Sequence, residues 1–158
     1  MSETSEEARA TAQRALAAEH AAVYGYGVVG AHAGGMADQA RAGYDAHRAR
    51  RDALSRVVSG LGDRPQPAAA AYALPFAVPD EAAAVRLATE LEDRIAGSYA
   101  DLVRAAEGDL RREAAAALRE AAVRAARWRG GSVAFPGLAE RTPDTAPAGR
   151  QEGAGRTD

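Results

Sequence analysis

Apolar side chains recur every three to four residues along four stretches of the chain, with polar residues between them. That spacing matches the turn of an α-helix. The first stretch runs from about Ser5 to Ala33, with Ser5 placed to cap it and Glu6 and Glu7 favourable in its first turn. Gly34 and Gly35 stop it. The second spans about Met36 to Leu61 and ends at Gly62. The third begins after Pro79, with Asp80 as cap and Glu81 in the first turn, and continues to about Ala106. The fourth follows Gly108, with Asp109 as the expected cap, and runs to Arg129 before Gly130-Gly131. Each helix has roughly 20 to 29 residues and is therefore about 30 to 43 Å long. Such matched lengths are what a bundle requires.

The connections predict how these helices are arranged. The turns after the first and third helices are very short, which forces antiparallel neighbours. Between the second and third lies Gly62 to Pro79, GDRPQPAAAAYALPFAVP, whose four prolines resist regular helix. A connection this long in a compact domain needs a reason. A crossover along the bundle is one, with Tyr72, Leu74, Phe76 and Val78 lying against the helices. After Gly131 the pattern changes: Val133 to Leu138 reads as a short apolar hook packing on the bundle. From about Ala139 to Asp158 the chain is rich in Pro, Gly, Thr, Arg and acids and reads as a disordered tail. The expected organisation is an all-α four-helix bundle over residues 5–138, made of two antiparallel hairpins joined by one long crossover, followed by that tail.

Composition agrees with helices. Alanine, the best helix former, supplies most of the hydrophobic residues. The net charge of −2 argues against a dedicated nucleic-acid binder. There is no cysteine, so disulfides, thiolate catalysis and iron–sulfur clusters are excluded. Every Lys/Arg-type cation is arginine. The opening MSETSEEARA lacks the basic and apolar regions of a secretory signal, and the apolar stretch Ala21 to Ala31 is too short to span a bilayer. A cytoplasmic protein with no membrane partner is the expectation.

One stretch carries two conflicting signals. Ala17 to His32, AAEHAAVYGYGVVGAH, contains Gly25-x-Gly27-x-x-Gly30, the spacing of a dinucleotide fingerprint, beside the acid–histidine pair Glu19 and His20. That fingerprint must follow a β-strand and open a helix. Here helix formers precede it and no βαβ alternation exists, so the glycines read as small residues admitting a neighbour. At about 100° per residue, Ala40, Tyr44, His47, Arg51, Leu54 and Val58 form one stripe on the second helix. On the third, Glu92 lies in the seam with Val85, Ala88, Ile95, Tyr99 and Leu102, while Glu90 falls outside with Arg94. Glu19 points with Leu16 and Val23. On the fourth, Trp128 reads as a core plug, Arg124 as part of a solvated face, and Glu120 lies about 110° from the apolar centre. Unpaired buried charges are very costly, so the inward groups must meet. The expected network is Glu19 and Glu92 paired with Arg51 and hydrogen-bonded by His47 and Tyr44, so that Glu19 meets His47 rather than its neighbour His20.

In order, AAEHAAVYGYGVVGAH, AHRARRDAL, LPFAVP with LATELEDRIAGSYADLV, REAAAALREAAVRAARWRG and AFPGL resemble a ferritin-like domain family of unknown function from high-GC bacteria. The resemblance covers about Ala12 to Leu138 and implies a ferritin-like four-helix bundle, with no established activity to transfer. Di-iron members of the wider group supply one Glu from each of two helices and Glu-x-x-His from each of the others. Glu19 and Glu92 can fill the single-Glu positions. His47 is present, but Tyr44 stands where its Glu would be; Glu120 is present, but Val123 stands where its His would be. Arg51 would set a permanent cation beside any metal. The expectation is therefore no metal, no cofactor and no catalytic residue, with a role in self-association or in binding a protein partner. Two alternatives remain. One is an iron or manganese site on Glu19, His47, Glu92 and Glu120. The other is an apolar slot beside Tyr24, Tyr26 and Tyr99 that takes a small ligand.

Overall fold

The computed structural model describes residues 3–138, and the expected tail lies outside them. Helix α1 spans Glu3–His32, a 3-10 turn covers Gly34–Met36, and α2, α3 and α4 span Ala37–Gly60, Glu81–Ala105 and Gly108–Arg129. Among the described residues there is no strand. The chain is an all-α four-helix bundle. No helix of the described residues is long and apolar enough to cross a membrane.

The helix ends follow local chemistry, with two corrections. Asp80 caps α3 as expected, its carboxylate accepting from the Ala83 amide at 2.8 Å. Asp109 is not the cap of α4. That position belongs to Glu107, whose side chain makes no capping bond, and Asp109 sits in the first turn paired with Arg112. There its charge still complements the helix N-terminus. Helix α1 starts at Glu3, ahead of Ser5. Gly130 closes α4 at φ +77°, a left-handed conformation that glycine adopts without a Cβ penalty.

Helix α1 packs on α2 and α3, and α3 packs on α4. Contacts fix the directions. Glu19 meets His47 while Tyr26 sits against Gly43, so α1 and α2 are antiparallel. Tyr26 meets Glu92 and Glu19 meets Tyr99, so α1 and α3 are antiparallel too. The second hairpin therefore begins where α1 ends, and residues 61–80 must travel the length of the bundle. They do so along α1. Gln13 holds Asp63 and the Arg64 carbonyl, at 3.0 and 2.7 Å. His20 reaches the Gln66 carbonyl, and Tyr24 lies against Tyr72 with ring centres 5.6 Å apart. Leu74, Phe76 and Val78 pack on the core, as the sequence predicts.

Two apolar clusters fill the interior. One gathers Leu16, Leu54, Val58, Ile95, Tyr99 and Leu102 with many alanines. The other gathers Tyr26, Val29, Leu87, Leu91 and Trp128. The buried polar residues Glu19, His47 and Glu92 connect them, since Tyr99 in the first cluster bonds Glu19 and Tyr26 in the second bonds Glu92. Helices α2 and α4 lack a comparable mutual interface. Their seam is bridged by Arg50 and Glu120 at 2.7 Å and floored by Tyr99 and Leu102. The hook beyond α4 behaves differently from expectation. Its backbone lies against α3, where a Cβ on Gly137 would come within 2.7 Å of the Ala96 carbonyl. Its side chains Phe135 and Leu138 face solvent, 66% and 64% exposed.

Candidate functional site

The polar core is assembled one residue per helix face. Glu19 comes from the middle of α1, His47 from α2 and Glu92 from α3, and each is fully buried. The His47 ring lies between the two carboxylates, with Nδ1 2.7 Å from Glu19 Oε2 and Nε2 3.0 Å from Glu92 Oε1. A carboxylate only accepts hydrogen bonds, so both ring nitrogens carry protons and the ring is an imidazolium. Burial alone would lower its basicity, but the hydrogen bonds and charges of Glu19 and Glu92 outweigh burial and push its pKa up to about 9.

Each carboxylate is closed by a phenol. Tyr99 donates to Glu19 Oε1 at 2.8 Å, and Tyr26 donates to Glu92 Oε1 at 2.6 Å. Trp128 Nε1 donates to the Tyr26 hydroxyl at 2.9 Å, extending the chain to the end of α4. Burial first, then the adjacent carboxylate, raises both phenols well above the ordinary tyrosine range, so they remain donors. Arg124 completes the set: its Nε donates to Glu92 Oε1 at 2.9 Å. Burial would raise the Glu92 carboxyl, but the hydrogen bond and charge of His47, with the charge of Arg124, hold it below its ordinary value. The two carboxylates, one imidazolium and one guanidinium sum to zero charge, which offsets the cost of burying them. One group is left over. Glu92 Oε2 is buried without a hydrogen-bond partner.

Two of the five residues expected in this network lie elsewhere. Arg51 turns outward and binds Asp52 at 2.7 Å. Its long stem lets the charged head leave the stripe on which its Cα sits, so it avoids desolvation. Tyr44 is half-buried beside the apolar cluster of Tyr26, Leu87 and Trp128, with the Arg48 guanidinium 5.7 Å from its ring centre, and makes no bond to the network. Sequence reasoning missed Arg124, Tyr26 and Tyr99 as network members. Charge balance is the signal that points to Arg124: two acids and one histidine need a second cation once Arg51 leaves, and Arg124 lies one turn before the buried Trp128.

The residues of the alternative metal reading are engaged with one another and with two arginines. His47 separates Glu19 from Glu92 and has no free nitrogen lone pair in this state. Arg124 occupies Glu92, and Glu120 is exposed on the rim, paired with Arg50. Among the described residues no group of three or more His, Asp or Glu is arranged to hold a metal ion. The expected apolar slot is filled at Gly25 and Gly43, while an open groove beside Tyr26 remains, lined by Gly27, Gly30, Ala40 and Tyr44. A Cβ on Gly25 would lie 2.6 Å from Leu91, and one on Gly43 would lie 2.3 Å from the Tyr26 ring. These glycines admit large side chains from neighbouring elements. Gly27 and Gly30 face open space, and none of the three opens a helix as a phosphate-binding loop would.

Fold and core together define an all-α bundle with a charged, self-neutralising interior. A family model described as "Domain of unknown function (DUF4439)" matches residues 11–140, and the chain belongs to that family. It is similar to a conserved hypothetical protein, rv2844, from Mycobacterium tuberculosis, whose crystal structure superposes with a TM-score of 0.77. The two are 38% identical, and the match covers 79% of this chain and 96% of the other. No curated protein matches.

Proposed function

We propose that this protein is a ferritin-like bundle whose charged core is structural and needs no metal, and that it acts through its outer surface, by self-association or by holding a protein partner. The observation that carries this reading is His47, held at both nitrogens by buried carboxylates. A ring so engaged is neither a metal ligand nor a free acid–base group. Two antiparallel hairpins joined by one long crossover form the connectivity of ferritin-like bundles, which supports the superfamily assignment. The competing reading, an iron or manganese site on Glu19, His47, Glu92 and Glu120, requires His47 to give up a proton and Arg124 to leave Glu92.

Metal analysis of protein purified from cells grown with added iron and manganese separates the two. Substoichiometric metal that His47→Ala does not change is expected. One equivalent or more, lost in that variant, would reject the proposal. Sedimentation velocity over a wide concentration range, with and without co-purified proteins, addresses the surface role. A strict monomer that retains no partner at native expression levels would remove it.

A further inference from the structure

We infer that Arg124 is the residue that keeps this core free of metal: its guanidinium occupies the place on Glu92 that a divalent cation shared with His47 would take. The inference rests on the metal-free reading above and says what enforces it.

Two ligands of a metal site, with an outer partner for one of them, meet at this position. Glu19 accepts from His47 Nδ1 at 2.7 Å. A neutral His47 keeping that bond would aim its Nε2 lone pair at Glu92, 3.0 Å away. An imidazole held by a carboxylate at one nitrogen and offered to a cation at the other is a recurrent arrangement in metal proteins. Glu92 would contribute Oε1 and also Oε2, which is buried and has no partner of its own. One imidazole nitrogen and carboxylate oxygens suit Zn²⁺, Mn²⁺ or Fe²⁺. Metal–ligand distances of about 2.0–2.2 Å at a tetrahedral angle put two ligand atoms about 3.4 Å apart, so the 3.0 Å gap from Nε2 to Oε1 needs only a small side-chain adjustment by Glu92.

Arg124 opposes this directly. Its Nε sits 2.9 Å from Glu92 Oε1, and a guanidinium cannot shed its proton to make room for a second cation. It is also the one charged member of the network with a path outward. Its side chain is 18% exposed, against 0% for Glu19, His47 and Glu92. Removing it would therefore open the position from the surface while leaving the other partners in place.

The test compares the wild-type protein with Arg124→Ala, Arg124→Gln and the Arg124→Ala/His47→Gln double variant. Each is stripped with chelator, checked for helicity, and titrated with Zn²⁺ by calorimetry and with Co²⁺ by visible absorption. The two single variants are expected to bind one equivalent of Zn²⁺ at least roughly 10-fold more tightly than wild type, the scale on which an outer partner alters metal affinity. They should also develop Co²⁺ ligand-field bands that the double variant lacks. Should Arg124→Ala fail to fold, Arg124→Gln carries the test, because it removes the permanent charge while keeping a neutral side chain that a cation can displace from Glu92. Folded single variants that stay as metal-poor as wild type would overturn the inference and leave the metal-free reading standing. Stoichiometric metal in the wild type, lost on His47→Ala, would overturn both.

Discussion

His47 is where one proton decides the most. Its pKa is raised in the folded state, to about 9 from an ordinary 6.5. A raised basic group stabilises the fold fully below its unfolded pKa, and that contribution fades as pH climbs through the folded value. Stability should therefore fall between about pH 6.5 and 9, by on the order of 3 kcal/mol from this group. Glu92 acts at the other end. Its lowered pKa gives stability that is present above the ordinary 4.5 and lost as pH falls. Thermal melts across pH should show a maximum between these limits, and His47→Gln should flatten the alkaline side. An alkaline limb of equal depth in the variant would assign that loss to another group. At this scale Glu19, His47 and Glu92 were legible, because short, fully buried side chains go where the helical stripe sends them. Arg51 and Arg124 were not, because a guanidinium on a long stem can point away from its own Cα.

At the scale of the elements, the glycines of the first hairpin divide into two kinds. Gly43 lets the Tyr26 ring rest against the α2 backbone, where a Cβ would lie 2.3 Å from it. Gly43→Ala should push α1 and α2 apart and cost about 1–3 kcal/mol in chemical denaturation. Gly27 has no atom within 4 Å of the position a Cβ would take. Gly27→Ala should therefore gain up to about 1 kcal/mol from helix propensity alone. Equal effects of the two changes would contradict this division. The start of α3 gives a third case. Asp80→Ala removes the acceptor of the Ala83 amide, and a loss of about 1 kcal/mol is expected. Asp109→Ala should cost less, because Asp109 lies inside its helix rather than at the cap. Sequence signals placed both acids near helix starts, but only the backbone at Glu107 and Gly108 decided which residue ended outside the helix.

At the scale of the whole molecule, the polar chain ties all four helices together. It runs from Tyr99 through Glu19, His47, Glu92 and Tyr26 to Trp128, with Arg124 joining from α4. Unfolding should therefore be a single event. Trp128, the only tryptophan in the chain, reports on the end of that network. Its fluorescence and the far-UV circular dichroism should share one denaturation midpoint. Separated midpoints would show that the two apolar clusters unfold independently.

Periodicity and turn chemistry determined the helices, the antiparallel hairpins, the need for a long crossover and the inward direction of Glu19, His47 and Glu92. These follow from interactions within a few residues along the chain, which a sequence displays directly. Tertiary structure decided which cation neutralises the acids, that two tyrosines close the network, and that Gly25 and Gly43 admit Leu91 and Tyr26 while Gly27 and Gly30 line an open groove. Those outcomes depend on distances between side chains far apart in sequence. They are set by the cost of burying charge, and each buried acid takes the nearest donor that can reach it.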